Sequence, residues 1–263
     1  MHAPLDLADI AADVLARVRD RAPRVHCITN TVAQVYTANM LLAAGAIPSM
    51  TISREEIAAF VASADALLVN LGTFDAERRT AIELALGAKG HRRKGTRPWV
   101  LDPVFIERSP ARAQFAQGLL ERGPAAVRLN QREFAALAGG DAAAKAPARF
   151  AKAHKTIVAL TGDMDAVTDG RRAATVANGH ALMGLVTAMG CAGSALLCAA
   201  LAVEADAWRA AVTALVALGV AGEVAALSAR GPGSFAGAII DALHNLDRAT
   251  LRARTRVSTC KGP

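Results

Sequence analysis

The 263-residue chain reads as an α/β protein with a mainly parallel central sheet. Three observations predict this. Five short apolar runs alternate with stretches of helical periodicity, and each run ends in a polar or Gly-containing turn. The composition is 53% hydrophobic but only 4% aromatic, so the core must be built from Ala, Leu and Val with close backbone approach. Strands that alternate with helices imply βαβ units and parallel neighbours. At this length a single domain over 1–263, sharing one sheet, is expected.

Taken in order, Leu7, Ile10, Ala11, Val14, Leu15 and Val18 recur at helical spacing and predict an amphipathic N-terminal helix. The runs at 25–29, 66–70, 99–101, 125–129 and 156–160 predict buried strands. Ser53 and Glu56 have capping-box spacing ahead of Ile57, Phe60 and Val61, which predicts a helix start. Asp169-Gly170, between the runs 166–168 and 173–176, is a turn signal for an antiparallel hairpin. The Ala-rich segments 190–203, 205–229 and 235–246 carry little charge in their middles and predict closely packed helices.

The stretch 181–203 holds no charged residue and reaches the length of a membrane span. Gly184, Thr187, Gly190, Gly193 and Ser194 interrupt it, so a buried strand, a tight loop and a buried helix are expected, and no membrane partner. The N-terminal segment carries Asp6, Asp9 and Asp13 among its apolar residues, unlike a secretory signal, and predicts a cytoplasmic chain. Cys27, Cys191, Cys198 and Cys260 show no zinc or disulfide spacing and read as reduced thiols. The net charge of +7 sits largely in 17–24, 89–97 and 248–261. With one tyrosine, Tyr36, and no nucleic-acid motif, these clusters read as solvated surface, with no nucleic-acid partner. Such an excess favours an anionic cosubstrate such as ATP.

Ligands of open parallel sheets bind at the carboxyl ends of the strands. The residues there are Thr29-Asn30, Asn70 with Gly72, Asp102-Pro103, Asn130 with Glu133, and Thr161-Gly162. One polar residue after a strand is ordinary turn chemistry; five such ends on one rim form a candidate site. Asp102 and Glu133 are its acids, and a carboxylate pair there can hold Mg2+ directly or through water. The alternative is that Asp102 only starts a turn and Glu133 lies on an exposed helix face. Arg128, at a strand end, suits a nucleotide phosphate. The small residues of 186–194 open an apolar helix, whose free N–H groups and dipole favour a transferring phosphoryl group. Cys191 falls in that first turn, where the dipole is expected to lower its pKa, although a cysteine in an apolar run also suits a core.

Gly231-Pro-Gly-Ser-Phe-Ala236 matches a dinucleotide-binding pattern, but it follows a helix and contains Pro232. The chain has neither a P-loop motif nor an H-E-x-x-H zinc motif.

A series of segments resembles the hydroxyethylthiazole kinases of the ribokinase-like superfamily over about residues 25–235. In order they are His26-Cys-Ile-Thr-Asn30, Thr37-Ala-Asn39, Gly45-Ala-Ile-Pro-Ser-Met50, Asn70-Leu-Gly-Thr73, Leu101-Asp-Pro-Val104, Arg128-Leu-Asn130 with Glu133, Thr161-Gly162, Asn178-Gly-His180, Val186-Thr187, Gly190-Cys191 and Gly231-Pro-Gly-Ser-Phe235.

The resemblance implies a three-layer α/β/α ribokinase-like fold, a homotrimer with sites between subunits, and transfer of the ATP γ-phosphoryl group to a thiazole alcohol. It implies nucleotide contacts at Arg128, Asn130, Thr161, Gly162 and Thr187, and substrate contacts at Asn30, Met50, Ala188 and Gly190. Asp102 and Glu133 would serve Mg2+ and the phosphates, with Asp102 and Cys191 at the chemistry. Cys191 stands where sugar kinases of the superfamily carry an Asp base. Three places depart from the family pattern: Phe105-Ile-Glu-Arg-Ser109 replaces a Gly-rich turn, Leu129 a Gly, and Ala188-Met189 a smaller pair. Slow turnover is therefore expected. A related kinase for another small alcohol or heterocycle, and a non-catalytic binding homologue, are the alternatives.

Overall fold

The computed structural model describes residues 6–87, 97–140 and 145–261. The amphipathic pattern near the N-terminus forms α1 (Leu7–Arg21), started by the Asp6 carboxylate, which accepts the N–H groups of Ala8 and Asp9. Next come β1 (Arg24–Ile28), α2 (Gln34–Ala44), β2 (Ile47–Ser49), α3 (Ile57–Ser63), β3 (Ala66–Asn70) and α4 (Ala76–Gly87). The alternation continues with β4 (Trp99–Asp102), α5 (Pro110–Leu120), β5 (Ala126–Asn130), α6 (Gln131–Leu137), α7 (Ala146–His154) and β6 (Ile157–Thr161). The hairpin is β7 (Asp165–Thr168) and β8 (Arg172–Val176). The last part holds α8 (Met189–Val203), α9 (Ala207–Ala226), α10 (Pro232–His244), α11 (Arg248–Arg254) and β9 (Val257–Lys261).

Among the described residues nine strands form one sheet, in the order β2-β1-β3-β4-β5-β6-β7-β8-β9. The pairings from β2 to β6 are parallel and those from β6 to β9 antiparallel. Because successive side chains of a strand point to opposite faces, each parallel strand feeds two cores. Val25, Cys27, Ala66, Leu68, Val100 and Ala126 pack in one cluster with α1, α2, α8, α9 and α10. Ile28, Leu67, Val69, Leu101, Val127 and Leu129 pack in the other with α3 to α7. The result is the expected three-layer α/β/α arrangement. The register places Asn70 opposite Asp102, and Asn130 opposite Thr161, at the carboxyl ends of the strands.

Four sequence expectations are corrected. Ser53 and Glu56 form no capping box: Glu56 accepts from the Thr51 hydroxyl and Ser53 Oγ from the Glu55 N–H, so α3 starts only at Ile57. No strand forms in 181–188. Ala181–Leu185 is a 3-10 turn without a buried residue, and Met183 leans on Gly222 of α9 instead of pairing with the sheet. The tail, whose arginines stay at the surface as expected, also contains α11 and β9, which were not expected, with Arg248 and Arg252 paired to Asp9 and Arg248 also to Asp13 on α1. The short strand β2, at the sheet edge, was not among the expected runs. Most of the basic stretch 89–97 lies outside the described residues. Among those residues α9 has the length and apolar character to cross a membrane, but most of it is buried, packed against α1, α8 and α10.

Candidate functional site

Asp102, at the end of β4, is 5% exposed. Its Oδ2 accepts two hydrogen bonds, from Asn70 Nδ2 and from Ser194 Oγ, each at 2.8 Å. Among the described residues no donor reaches its Oδ1. Burial pushes the Asp102 pKa up to about 6, with nearby Glu133 adding to the rise, while Arg128 and the two hydrogen bonds oppose it. From Asn70 the chain of contacts runs on. Asn70 Oδ1 accepts Asn30 Nδ2 at 3.3 Å and the Gly72 N–H at 3.0 Å, and Asn30 Nδ2 also reaches Cys191 Sγ at 3.2 Å. Asn30 is buried, and its Oδ1 has no partner among the described residues.

Cys191 does not behave as its place in a first helical turn predicts. Its thiol is pushed up to about 11, first by burial and then by the neighbouring Asp102 charge, against the hydrogen bonds from Asn70 and Asn30. Desolvation beside a carboxylate outweighs the helix dipole, so at neutral pH the group is a thiol.

Glu133 is the third residue of α6, where it and Asn130 form a capping box. One carboxylate oxygen accepts the Asn130 N–H and the other the Phe105 N–H, both at 2.8 Å. Glu133 thus brings charge to the rim while its oxygens hold two loops. Asn130 Oδ1 is likewise engaged, by the N–H groups of Arg132 and Glu133. Arg128 crosses from β5 to the start of α8, where Nη1 donates to the Gly190 carbonyl at 2.8 Å. Gly193 makes room for it: a Cβ there would lie 2.9 Å from Arg128 Nη2.

Ala188 caps α8 in the left-handed region, at φ 71° and ψ 0°. It keeps the glycine-like path instead of forcing another. Beyond it, the N–H groups of Gly190 and Cys191 have no acceptor among the described residues. Val104 and Phe105 also have positive φ, 22° and 56°, so the turn after Asp102 follows a glycine-like course with bulky residues. Arg112 of α5 ties this turn to its neighbour, donating to the carbonyls of Val104 at 2.6 Å and Gly72 at 3.3 Å.

These residues surround a cleft of about 850 Å3 lined by Asn30, Asp102, Phe105, Arg128, Asn130, Glu133, Thr161, Thr187, Ala188, Gly190 and Cys191. A second cavity of about 560 Å3 adjoins it, sharing Arg128, Asn130, Thr161, Met189 and Gly190 and adding Gly162, Asp165, Asn178 and Gly179. The fold thus collects every expected site residue in two joined cavities except Met50. That residue follows β2, packs against the core and does not line the cleft.

Sequence reasoning missed several contributors. Asp165 accepts the Gly162 N–H at 3.0 Å. Its carboxyl is raised by burial against the opposing pull of that N–H and of Arg128. Its position just beyond Thr161-Gly162 was the available signal. Glu223 of α9 holds the second cavity's wall, with Oε1 accepting Asn178 Nδ2 at 2.9 Å and the Gly179 N–H at 3.0 Å. Arg256, just before β9, completes this cluster through Glu223, the Ala177 carbonyl and Asn178 Oδ1. Arg112 and Glu223 lie on helices with no motif around them, and nothing in the sequence marks them.

The model of the hydroxyethylthiazole kinase family matches residues 15–249. The chain belongs to the hydroxyethylthiazole kinase family. Among its relatives, the hydroxyethylthiazole kinase of Rhizobium leguminosarum bv. trifolii (strain WSM2304) is 43% identical over 93% of this chain and 96% of its own. That of Cronobacter sakazakii is 41% identical over 89% and 92%. The solved hydroxyethylthiazole kinase structure from Pyrococcus horikoshii OT3 superposes with a TM-score of 0.88 at 36% identity, covering 96% of this chain and all of the other. A ribokinase-like superfamily protein of Enterococcus faecalis V583 has a TM-score of 0.66 at 12% identity, covering 94% and 99% of the two chains, and shares the fold alone. Most of the segments matched along the sequence reach the two joined cavities, whereas Thr37-Ala-Asn39, the segment from Gly45 to Met50 and the segment from Gly231 to Phe235 do not line them.

Proposed function

We propose that the protein is an ATP-dependent hydroxyethylthiazole kinase, transferring the γ-phosphoryl group to the hydroxyl of 4-methyl-5-(2-hydroxyethyl)thiazole in thiamine biosynthesis or salvage. The observation that carries this reading is the pair of joined cavities, with Arg128 and the open start of α8 at their junction. The second cavity, with Thr161, Gly162 and Asn178, takes the nucleotide. At the junction, Arg128 and the free N–H groups of Gly190 and Cys191 hold the phosphate being transferred. In the first cleft, Asn30 orients the alcohol through its unpartnered Oδ1.

The free Oδ1 of Asp102 is an oxygen ligand of the kind Mg2+ prefers. Glu133, whose oxygens are both held by backbone, would act through water and charge. Bound there, Mg2+ would neutralise phosphate charge as it develops in transfer. Asp102 supplies the fixed carboxylate on this chain's side. The neutral Cys191 thiol is a weak base, which suits a loose transition state that depends on positioning and charge. Met50 stands outside the cleft, which is consistent with a site completed across a subunit boundary. We extend the proposal to a cytoplasmic homotrimer, which light scattering on a sizing column would test.

The deciding experiment measures ADP release with Mg2+, ATP and hydroxyethylthiazole, and detects the thiazole phosphate by mass spectrometry. ADP and thiazole phosphate should form together and only when all three are present. ATP binding without product would leave a binding homologue. Phosphorylation of another alcohol alone from a panel would reassign the substrate.

A further inference from the structure

The contacts below the cleft leave the two amides between Asp102 and Cys191 no choice of orientation. The Gly72 backbone N–H can only donate, so the Asn70 atom 3.0 Å from it is the oxygen. Asn70 Nδ2 is therefore the atom facing Asp102, at 2.8 Å from Oδ2. The same Asn70 oxygen lies 3.3 Å from the Asn30 amide, so Asn30 must present Nδ2 to it, and its Oδ1 turns the other way, where no donor among the described residues meets it. Asn70 is 1% exposed, so its amide is held by these protein contacts. Gly72 presses on the same group: a Cβ there would lie 2.6 Å from Asn30 Nδ2. Ser194, fully buried on α8, adds the second donor to Asp102 Oδ2 and leaves Oδ1 unengaged.

We infer that Asn70 is the positioning residue of this site, one amide that fixes both which oxygen of Asp102 and which atom of Asn30 are left for the reactants. Its NH2 holds the acid on the phosphate side and its oxygen orients the amide on the alcohol side. It touches neither reactant in doing so. Ser194 supports only the first of these tasks, so its loss matters less than that of Asn70. The inference rests on the kinase reading for its kinetic consequences but not for its geometry.

The test is Asn70→Ala, with Asn70→Ser as a second variant should the first not fold, each examined by kinetics and by crystallography. Removing a residue that orients reactive groups typically costs about 10- to 100-fold in activity. That loss is expected in kcat, with the dissociation constant for ATP, measured by calorimetry, within about twofold of the parent because the nucleotide cavity lies apart from Asn70. Ser194→Ala should lose several-fold less. In a double-mutant cycle with Asn30→Ala the losses should fall well short of multiplicative, since part of the Asn70 effect passes through Asn30. The variant's crystal structure should show the Asn30 amide turned or displaced and Asp102 rotated.

Retention of both orientations in that structure overturns the inference, whatever the activity. Unchanged kcat, or a loss confined to ATP affinity and thermal stability, overturns it as well. A parent enzyme that phosphorylates no thiazole alcohol would sink the kinase reading, while the crystal structure would still decide the role of Asn70.

Discussion

Replacing Ala188 by glycine tests the turn that opens α8. Ala188 sits at φ 71°, where an L-residue pays roughly 1–2 kcal/mol and glycine none. Glycine also gains freedom in the unfolded chain, which takes back about 0.4–1 kcal/mol. The net expectation is a stabilisation of about 1 kcal/mol. For a chain of 263 residues this corresponds to a rise in Tm of about 2 °C. Urea unfolding should show a higher midpoint at unchanged slope. Because Ala188 already follows the left-handed path, the rate should change little, by about twofold at most in kcat. The slow turnover expected from Ala188-Met189 is therefore not relieved by restoring glycine at 188. Met189 is also buried, so its truncation costs packing. Gly45→Ala is the opposite control, since φ there is 90° and the added Cβ would lie 2.9 Å from the Arg19 backbone. An Ala188→Gly variant that is less stable than the parent, or whose kcat rises tenfold, would refute this account of the turn.

Gly193→Ala should push Arg128 and Leu218, each 2.9 Å from the new Cβ, and raise KM for ATP several-fold more than KM for the thiazole in steady-state assays. Asp102→Asn should lower kcat about 100-fold or more and Cys191→Ser far less, because the first removes charge at the phosphates and the second only a weak base. Equal losses would give the thiol a larger role. In a pH profile, kcat/KM should rise as pH passes upward through about 6, where Asp102 ionises, and profiles of Asp102→Asn should lack that limb. For stability the sign is reversed. The folded pKa of about 6 lies above the ordinary 3.8, so the native state holds this proton more tightly, and Asp102's contribution falls as pH rises between those values. Urea midpoints of the parent and of Asp102→Asn should diverge over that window in favour of the variant.

What could be read in advance was whatever local pattern alone decides. The runs at 25–29 and 66–70 became β1 and β3 because an apolar segment of five residues buried on both faces has few other uses. The rim was legible because parallel strands must deliver their ends to one side. Long-range contacts overrode local signals elsewhere. Ser53 and Glu56 have the right spacing, but Thr51 takes the carboxylate. The charged tail is at the surface as read, but its ion pairs were not legible because the partners Asp9 and Asp13 lie at the other end of the chain. Cys191 had the position of an activated thiol, and its burial, with Asp102 from a distant strand adding to it, reversed the direction. Glu133 was visible as an acid at the rim, yet its capping box with Asn130, also readable from the spacing, occupies one of its oxygens, and the Phe105 N–H, from a distant loop, occupies the other.

The Arg256–Glu223–Asn178 cluster carries a practical consequence for anyone handling the protein. The segment leading into β9 is fastened to the wall of the second cavity, so the C-terminal strand is mechanically part of the site proposed for ATP although it is remote from it in sequence. An affinity tag, a fusion partner or a protease nick near residue 256 would be felt there as weakened nucleotide binding. Labels for fluorescence or immobilisation therefore belong away from residue 256.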